Sequence, residues 1–419
     1  MGKNRRKKWK VIAISMIFLL LFHASISLAS DSIFVWSENT NEVSRQNRTT
    51  DAVQTNATQM EEMKKIESND ALKLESGGAI LIEQYTGKVL YGKNIHEALR
   101  PASVTKVMTI LLIMEALEEG RITLTDRIPC SENASKMGGS QIWLDVKEQL
   151  TVDEMLKAIC VVSANDCTVA MAEYLAGSEE AFVEQMNKRA KELGMNDTTF
   201  KNCHGIDEDG HVTSPYDIAM MSRELLKEHP SITKYTTIWM DSLRDGKSEL
   251  VNTNKLIRNY QGATGLKTGS TSIALYNLSA SATRNNLNLI AVIMKAPTTK
   301  IRFEEAQKLL DYGFSNYSYK ELSKQGDFVT SLDVQKGLAK QVDAVLEKDC
   351  GTLLKKGQDK NITQEMTLPE KITAPILKGQ KLGEITYLLD GQTIEKVNII
   401  ARTGSEKNRI FSNVYGYLI

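Results

Sequence analysis

The sequence has no surplus of either charge: 52 Lys and Arg stand against 52 Asp and Glu. No whole-chain field therefore favours a nucleic-acid partner. Cysteine is scarce and odd in number, at Cys130, Cys160, Cys167, Cys203 and Cys350. Five thiols cannot all pair, and no two have the C-x-x-C spacing of a metal site, so neither a zinc centre nor a disulfide framework is expected. Cys160 and Cys167 lie seven apart, two helical turns, where buried free thiols are the commoner outcome. Histidine is equally rare, with five in 419 residues. What is present is ordinary globular material, 42% hydrophobic and 25% charged, in a chain long enough for two folded units plus tails.

Charge is uneven only at the start. Lys3, Arg5, Arg6, Lys7, Lys8 and Lys10 are followed by the apolar run Val11 to Phe22 and then by Ser27-Leu28-Ala29-Ser30. A basic head, an apolar stretch and small residues before a cut site predict a secretory signal over 1–29, cleaved after Ala29, with an uncleaved membrane anchor as the alternative. Either way the rest of the chain is expected to leave the cytoplasm. Residues 30–72 are a polar spacer with a short helix near Met60–Ile66. The folded part opens with a hairpin, Ala79–Ile82 and Val89–Tyr91 around Gly87. A long helix follows Pro101-Ala102-Ser103, with Val107, Ile110, Leu111, Met114 and Leu117 at three- and four-residue spacing. Further helices are predicted at Val152–Val162, Asn165–Ala176, Glu179–Leu193 and Pro215–Lys227. Strands return at Gly265–Thr271, Tyr276–Ala282 and Leu287–Met294, before a helix near Arg302–Tyr312. Strands at both ends with helices between them imply an α+β domain over 73–316 whose sheet is completed by both terminal segments. Short alternating runs such as Ile385–Leu389, split by Asp390-Gly391, predict a small all-β domain over 317–406. The tail, 407–419, places Ile410, Phe411, Val414, Tyr417 and Leu418 near one helical face, which fits an interfacial helix at a membrane surface or a final packed strand.

Three short elements carry chemistry. Ser103-Val104-Thr105-Lys106 sets a hydroxyl and an amine three apart on one face at a helix start, where free N–H groups favour developing negative charge. The lysine can act as a base only if burial or a neighbouring cation lowers its pKa. Ser163-Ala164-Asn165 falls between two apolar helices, and Lys267-Thr268-Gly269-Ser270 on a strand. Each pattern recurs elsewhere: Ser231-Ile232-Thr233-Lys234 repeats the first, Ser37-Glu38-Asn39 and Ser131-Glu132-Asn133 the second, and Arg402-Thr403-Gly404-Ser405 nearly repeats the third. Only the set at 103, 163 and 267 combines the order with the matching helix, junction and strand.

That trio resembles the one shared by penicillin-binding proteins and class A β-lactamases. The resemblance extends over roughly 75–405, and is to low-molecular-mass penicillin-binding proteins that act as D-Ala-D-Ala carboxypeptidases. It is carried by Arg100–Thr109, Ser163–Asp166, Leu193-Gly194-Met195 through His204-Gly205-Ile206, Asn252–Leu256, Gly265–Thr271 and, in the second domain, Ala374–Gln380. It implies a transpeptidase-like catalytic domain, a sheet flanked by helices, followed by the small all-β domain. It further implies that Ser103 attacks the carbonyl of the penultimate D-alanine while Lys106 takes its proton. The N–H groups of Ser103 and Ser270 would form the oxyanion hole. Ser163, steered by Asn165 and Lys106, would protonate the leaving D-alanine. Lys267 and Thr268 would hold the terminal carboxylate, with Gly269 and Ser270 beside them on the substrate side. His204 either lines the site or braces its loop, and Arg302 is expected in a structural ion pair. The implied partners are a peptidoglycan stem pentapeptide as substrate and β-lactams as covalent inhibitors, with no cofactor or metal. The chain departs from the family pattern at Ala274-Leu275 and Cys203, changes that touch no catalytic atom but could reshape the rim of the cleft.

Three alternatives share parts of this pattern. A class A β-lactamase needs an E-x-x-L-N element, and Glu184 and Asn187 are three apart rather than four. Peptidoglycan DD-endopeptidases use the same residues, and a non-catalytic β-lactam-binding wall sensor would not need them all. Serine lipases and proteases are disfavoured, because no G-x-S-x-G surrounds Ser103.

Overall fold

The computed structural model describes residues 72–408. The expected signal segment, the spacer up to residue 71 with its short helix, and the tail from 409 onward lie outside the described residues. The first half is built on an antiparallel sheet of order β2-β1-β9-β8-β7. Its strands are β1 (Gly78–Glu83), β2 (Val89–Lys93), β7 (Ala263–Thr271), β8 (Leu275–Arg284) and β9 (Leu287–Ala296). The smaller ladders β3 (Arg127–Pro129) with β4 (Gln149–Thr151), and β5 (Met240–Leu243) with β6 (Ser248–Val251), lie outside it. The first and last strands of this half are therefore neighbours, with Ile80 opposite Val292.

The sheet is covered on both faces, which is why β1 reads as an unbroken apolar run. Alternate residues go opposite ways. Ile80, Ile82, Ile290 and Val292 pack into the helical core, whereas Ala79, Leu81, Leu289 and Ala291 pack with Phe303, Leu309 and Leu310. Those last three belong to α6 (Thr299–Asn316) on the outer face. The helical core is formed by α1 (Lys106–Glu118), α2 (Val152–Val161), α3 (Asn165–Ala176), α4 (Glu179–Glu192) and α5 (Pro215–Glu228). Their starts follow local chemistry: Thr151 and Glu154 form a capping box on α2, and Ser214 caps α5 ahead of Pro215. α1 begins three residues later than the serine at 103, because Ala102–Thr105 forms a 3-10 turn first.

α6 ends at Asn316 and β10 (Tyr317–Ser323) starts at the next residue. The second half holds β10 with β13 (Cys350–Lys355), and a six-stranded sheet of order β14-β16-β17-β12-β11-β15. Those strands are β11 (Phe328–Gln335), β12 (Gln341–Leu346), β14 (Ile362–Thr367), β15 (Lys371–Thr373), β16 (Lys381–Leu389) and β17 (Gln392–Ala401). A small core around Leu332, Leu346, Tyr387, Val397 and Ile399 holds them together. All five cysteines are buried and free. No helix among the described residues is long and apolar enough to cross a membrane.

Candidate active site

Ser103 sits in the 3-10 turn and Lys106 opens α1, so the i and i+3 side chains meet: Lys106 Nζ is 3.0 Å from Ser103 Oγ. Lys106 has no exposed surface. Its amine has two further partners, Asn165 Oδ1 at 2.6 Å and the His204 carbonyl at 2.7 Å. Burial holds the Lys106 amine well below the usual lysine range, and the nearby charge of Lys267 pushes it the same way. Lys267, equally buried on β7, is lowered to about 7, chiefly by loss of water. Its Nζ donates to the Thr268 carbonyl at 2.8 Å.

Two glycines let three segments converge on the nucleophile. A Cβ on Gly205 would lie 2.0 Å from the Ala102 carbonyl oxygen, and one on Gly269 would lie 2.8 Å from the Ser103 nitrogen. Only backbone fits at either place, and Gly205 also adopts φ +92, which other residues rarely take. β7 is the terminal strand of its sheet, so the side away from β8 is open to an extended ligand. Ser270 is exposed on that strand, while the Thr268 hydroxyl lies 2.7 Å from that of Thr253.

Asn165 is the first residue of α3 and works in two directions. Its Oδ1 meets Lys106, and its Nδ2 donates to the Gly138 carbonyl at 2.7 Å. Ser163, two residues earlier, is buried at φ +66, and its Oγ has no hydrogen-bond partner. A buried hydroxyl left open in this way carries a desolvation cost, a feature concentrated at functional sites.

The His204 ring faces away from the amine. Its Nδ1 accepts from the Ile206 N–H at 3.1 Å, and Nε2 lies 3.4 Å from Glu179 Oε1. Burial lowers the imidazole to about 3, so the ring is neutral and braces its loop while the carbonyl orients Lys106. Arg302 differs from its sequence expectation. It makes no salt bridge among the described residues and instead donates to the Gly269 and Asn277 carbonyls, both at 3.3 Å, between the Tyr276 and Phe303 rings. Pinned from α6, the Gly269 carbonyl fixes the following peptide plane, whose N–H belongs to Ser270.

Asp166 is the residue the motifs left without a role. It is fully buried, and its carboxylate accepts from the N–H groups of Ile142 and Leu144, both at 3.1 Å, and of Cys167 at 2.9 Å. It thereby fastens the 138–144 loop over the start of α3, where Gly138 and Ser140 also meet Asn165. Its position beside Asn165 was the only signal in the sequence. The repeated motifs among the described residues, in contrast, are bland, and Ser37-Glu38-Asn39 lies outside them. Ser131 caps a short helix, Ser231 and Lys234 are exposed, and Arg402-Thr403-Gly404 lies on the surface of the β domain.

Residues 63–298 match the D-alanyl-D-alanine carboxypeptidase family, and 317–407 match the C-terminal domain of penicillin-binding protein 5. The chain belongs to the D-alanyl-D-alanine carboxypeptidase family. The enzyme is 48% identical to the D-alanyl-D-alanine carboxypeptidase DacF of Bacillus subtilis over 80% of its own chain and 86% of that relative. It is similar in structure to penicillin-binding protein 5 from Haemophilus influenzae, with TM-score 0.66, 31% identity, and coverage of 80% of this chain and 98% of that one. Penicillin-binding protein D2 from Listeria monocytogenes, solved in an ampicillin-bound form, matches with TM-score 0.54 and 29% identity over 58% of this chain and 99% of that one. The serine-type carboxypeptidase activity and the two-domain fold expected from the motifs agree with these matches.

Proposed function

We propose that the enzyme removes the terminal D-alanine from peptidoglycan stem peptides through an acyl-enzyme on Ser103, with neutral Lys106 as the base. The observation that carries this is the three-way contact of the buried Lys106 amine. A neutral amine has two N–H donors and one lone pair. Asn165 Oδ1 and the His204 carbonyl can only accept, so they take both N–H groups. With the amine neutral, its lone pair is then left facing the Ser103 hydroxyl 3.0 Å away, which becomes the donor of that contact.

Ser103 Oγ attacks the penultimate carbonyl as its proton moves to Lys106. The N–H groups of Ser103 and Ser270 receive the oxyanion, where one such donor is worth a factor of about 10² to 10³ in rate. Lys267 and the Thr268 hydroxyl hold the terminal carboxylate. The proton taken up by Lys106 passes through the free Ser163 hydroxyl, beside Asn165, to the departing amine, and water then attacks the ester, giving its proton to the again-neutral Lys106 amine. A β-lactam enters by the same attack, and the opened ring leaves Ser103 acylated. D-alanine release from a diacyl-Lys-D-Ala-D-Ala peptide tests this: wild type releases it and Ser103→Ala does not. Equal release by the variant would remove Ser103 as nucleophile.

The basic head and apolar run at the N-terminus support export to the cell-wall side, with cleavage after Ala29, and the amphipathic tail supports contact with a membrane surface. N-terminal sequencing of the exported enzyme checks this: the expected first residue is Ser30, and an intact Met1 would mean that the segment stays as an anchor.

A further inference from the structure

β6 ends at Val251, and the next three residues, Asn252-Thr253-Asn254, bring a hydroxyl back against β7. The two asparagines are buried, at 4% and 1% exposure, while Thr253 between them is exposed. Each asparagine fixes backbone. Asn252 Nδ2 donates to the Ile238 carbonyl at 2.7 Å, and its Oδ1 accepts from the Asn254 N–H at 2.8 Å. Asn254 Oδ1 accepts in turn from the Leu256 N–H at 3.1 Å. The Thr253 N–H donates to the Val161 carbonyl at 3.1 Å, at the end of α2 and two residues before Ser163. With its backbone held in this way, Thr253 sets its hydroxyl 2.7 Å from that of Thr268. Thr268 precedes Gly269, where only backbone fits against the Ser103 nitrogen. Consecutive Cα atoms are about 3.8 Å apart, so the hydroxyl pair borders the nucleophile.

Two hydroxyls this close have two protons between them and spend one on their own hydrogen bond. A carboxylate only accepts, so the hydroxyl that meets it must keep its proton free. This inference rests on the carboxypeptidase reading, in which Thr268 holds the terminal carboxylate of the substrate. That role decides the direction of the pair: Thr253 donates and Thr268 accepts. We infer that Thr253 is a positioning residue for the reaction, whose O–H occupies a Thr268 lone pair and turns the Thr268 proton toward the carboxylate. Accepting a hydrogen bond also polarises the Thr268 hydroxyl and makes it the stronger donor. Without that neighbour the hydroxyl rotates among its staggered positions and meets the anion in only some of them.

The test is a double-mutant cycle read by D-alanine release from the diacyl-Lys-D-Ala-D-Ala peptide, with kcat and KM separated. Thr253→Val removes the hydroxyl and keeps the shape. It should raise KM about fivefold with kcat within about twofold, because the carboxylate is held alike in ground and transition states. Thr253→Ser, which restores the donor, should return KM to within about twofold of wild type. In a Thr268→Val background, itself raised about tenfold in KM, Thr253→Val should add less than about twofold. A fivefold loss that persists in that background would mean that Thr253 acts apart from Thr268, and overturns the positioning role. So does a KM unmoved by Thr253→Val, or a Thr253→Ser variant as weak as Thr253→Val. A KM unmoved by Thr268→Val removes Thr268 from the carboxylate, and the role of Thr253 falls with it. Wild type that releases no D-alanine while still taking up penicillin overturns the carboxypeptidase reading itself.

Discussion

The chain contains the same serine–lysine pattern twice in nearly the same local setting. Ser103 follows Pro101 in a 3-10 turn that runs into α1, and Ser231 follows Pro230 in a 3-10 turn that runs into the short helix Thr233–Thr236. The difference lies in what surrounds them. Lys106 is enclosed by Asn165, His204 and Ser103, with a second buried lysine nearby. The Lys234 side chain is 64% exposed, pairs with Asp153 at 3.0 Å and lies over its neighbour Tyr235. Spacing brings hydroxyl and amine within reach, but only dehydration turns the amine into a base at ordinary pH. A lysine in water remains an ammonium ion and cannot accept the proton.

The sharpest way to break this comparison is to remove each amine. Lys106→Met should lower the rate of penicillin acylation by about 10³-fold, within the range typical of a lost general base. Comparable labelling in that variant would mean that another group takes the Ser103 proton.

An intermediate effect separates the two lysines of the cleft. The charge of Lys267 helps to lower the Lys106 amine, so Lys267→Met should move the acid limb of the acylation profile to higher pH. An unmoved limb would mean that burial alone sets the base. Stability gives a second readout on the same variant. Lys267 is lowered from 10.5 to about 7, so between those values the unfolded chain binds a proton that the folded enzyme does not. Wild-type stability should therefore rise with pH across that window relative to Lys267→Met, and Tm measured on both proteins checks the slope.

The smallest effect belongs to the exposed copy. Lys234→Met should leave acylation unchanged and cost under about 1 kcal/mol, as expected for a surface ion pair.

Much of the fold was legible because its signals are local. Three- and four-residue apolar spacing marked the long helices, and the strands of the first sheet fell where alternation and turns placed them. The site was legible in outline because Ser103, Ser163 and Lys267 each stood at the start or junction of an element. What escaped depends on long-range contact. Asp166 stood beside Asn165 with no role assigned, although its carboxylate fastens the 138–144 loop. His204 was expected either to line the site or to brace its loop, and the contact of its carbonyl with the amine was not foreseen. Arg302 was expected beside an acid and found two backbone carbonyls. The β5–β6 hairpin that bears Arg244 went unrecognised for the same reason, since its short strands lack periodicity. Neither could the sequence order the strands of the β domain, where β17 pairs with both β16 and β12.

Asn316 and Tyr317 are consecutive, yet one ends the longest helix of the catalytic half and the other begins the β domain. The join has no slack. The Lys356 N–H closes on the Asn316 carbonyl at 2.9 Å, and Tyr319 rests against Tyr85 with ring centres 5.6 Å apart. A joint clamped at two points transmits rotation rather than absorbing it. A bend between the two halves therefore has to break a hydrogen bond and a ring contact as well as turn the chain.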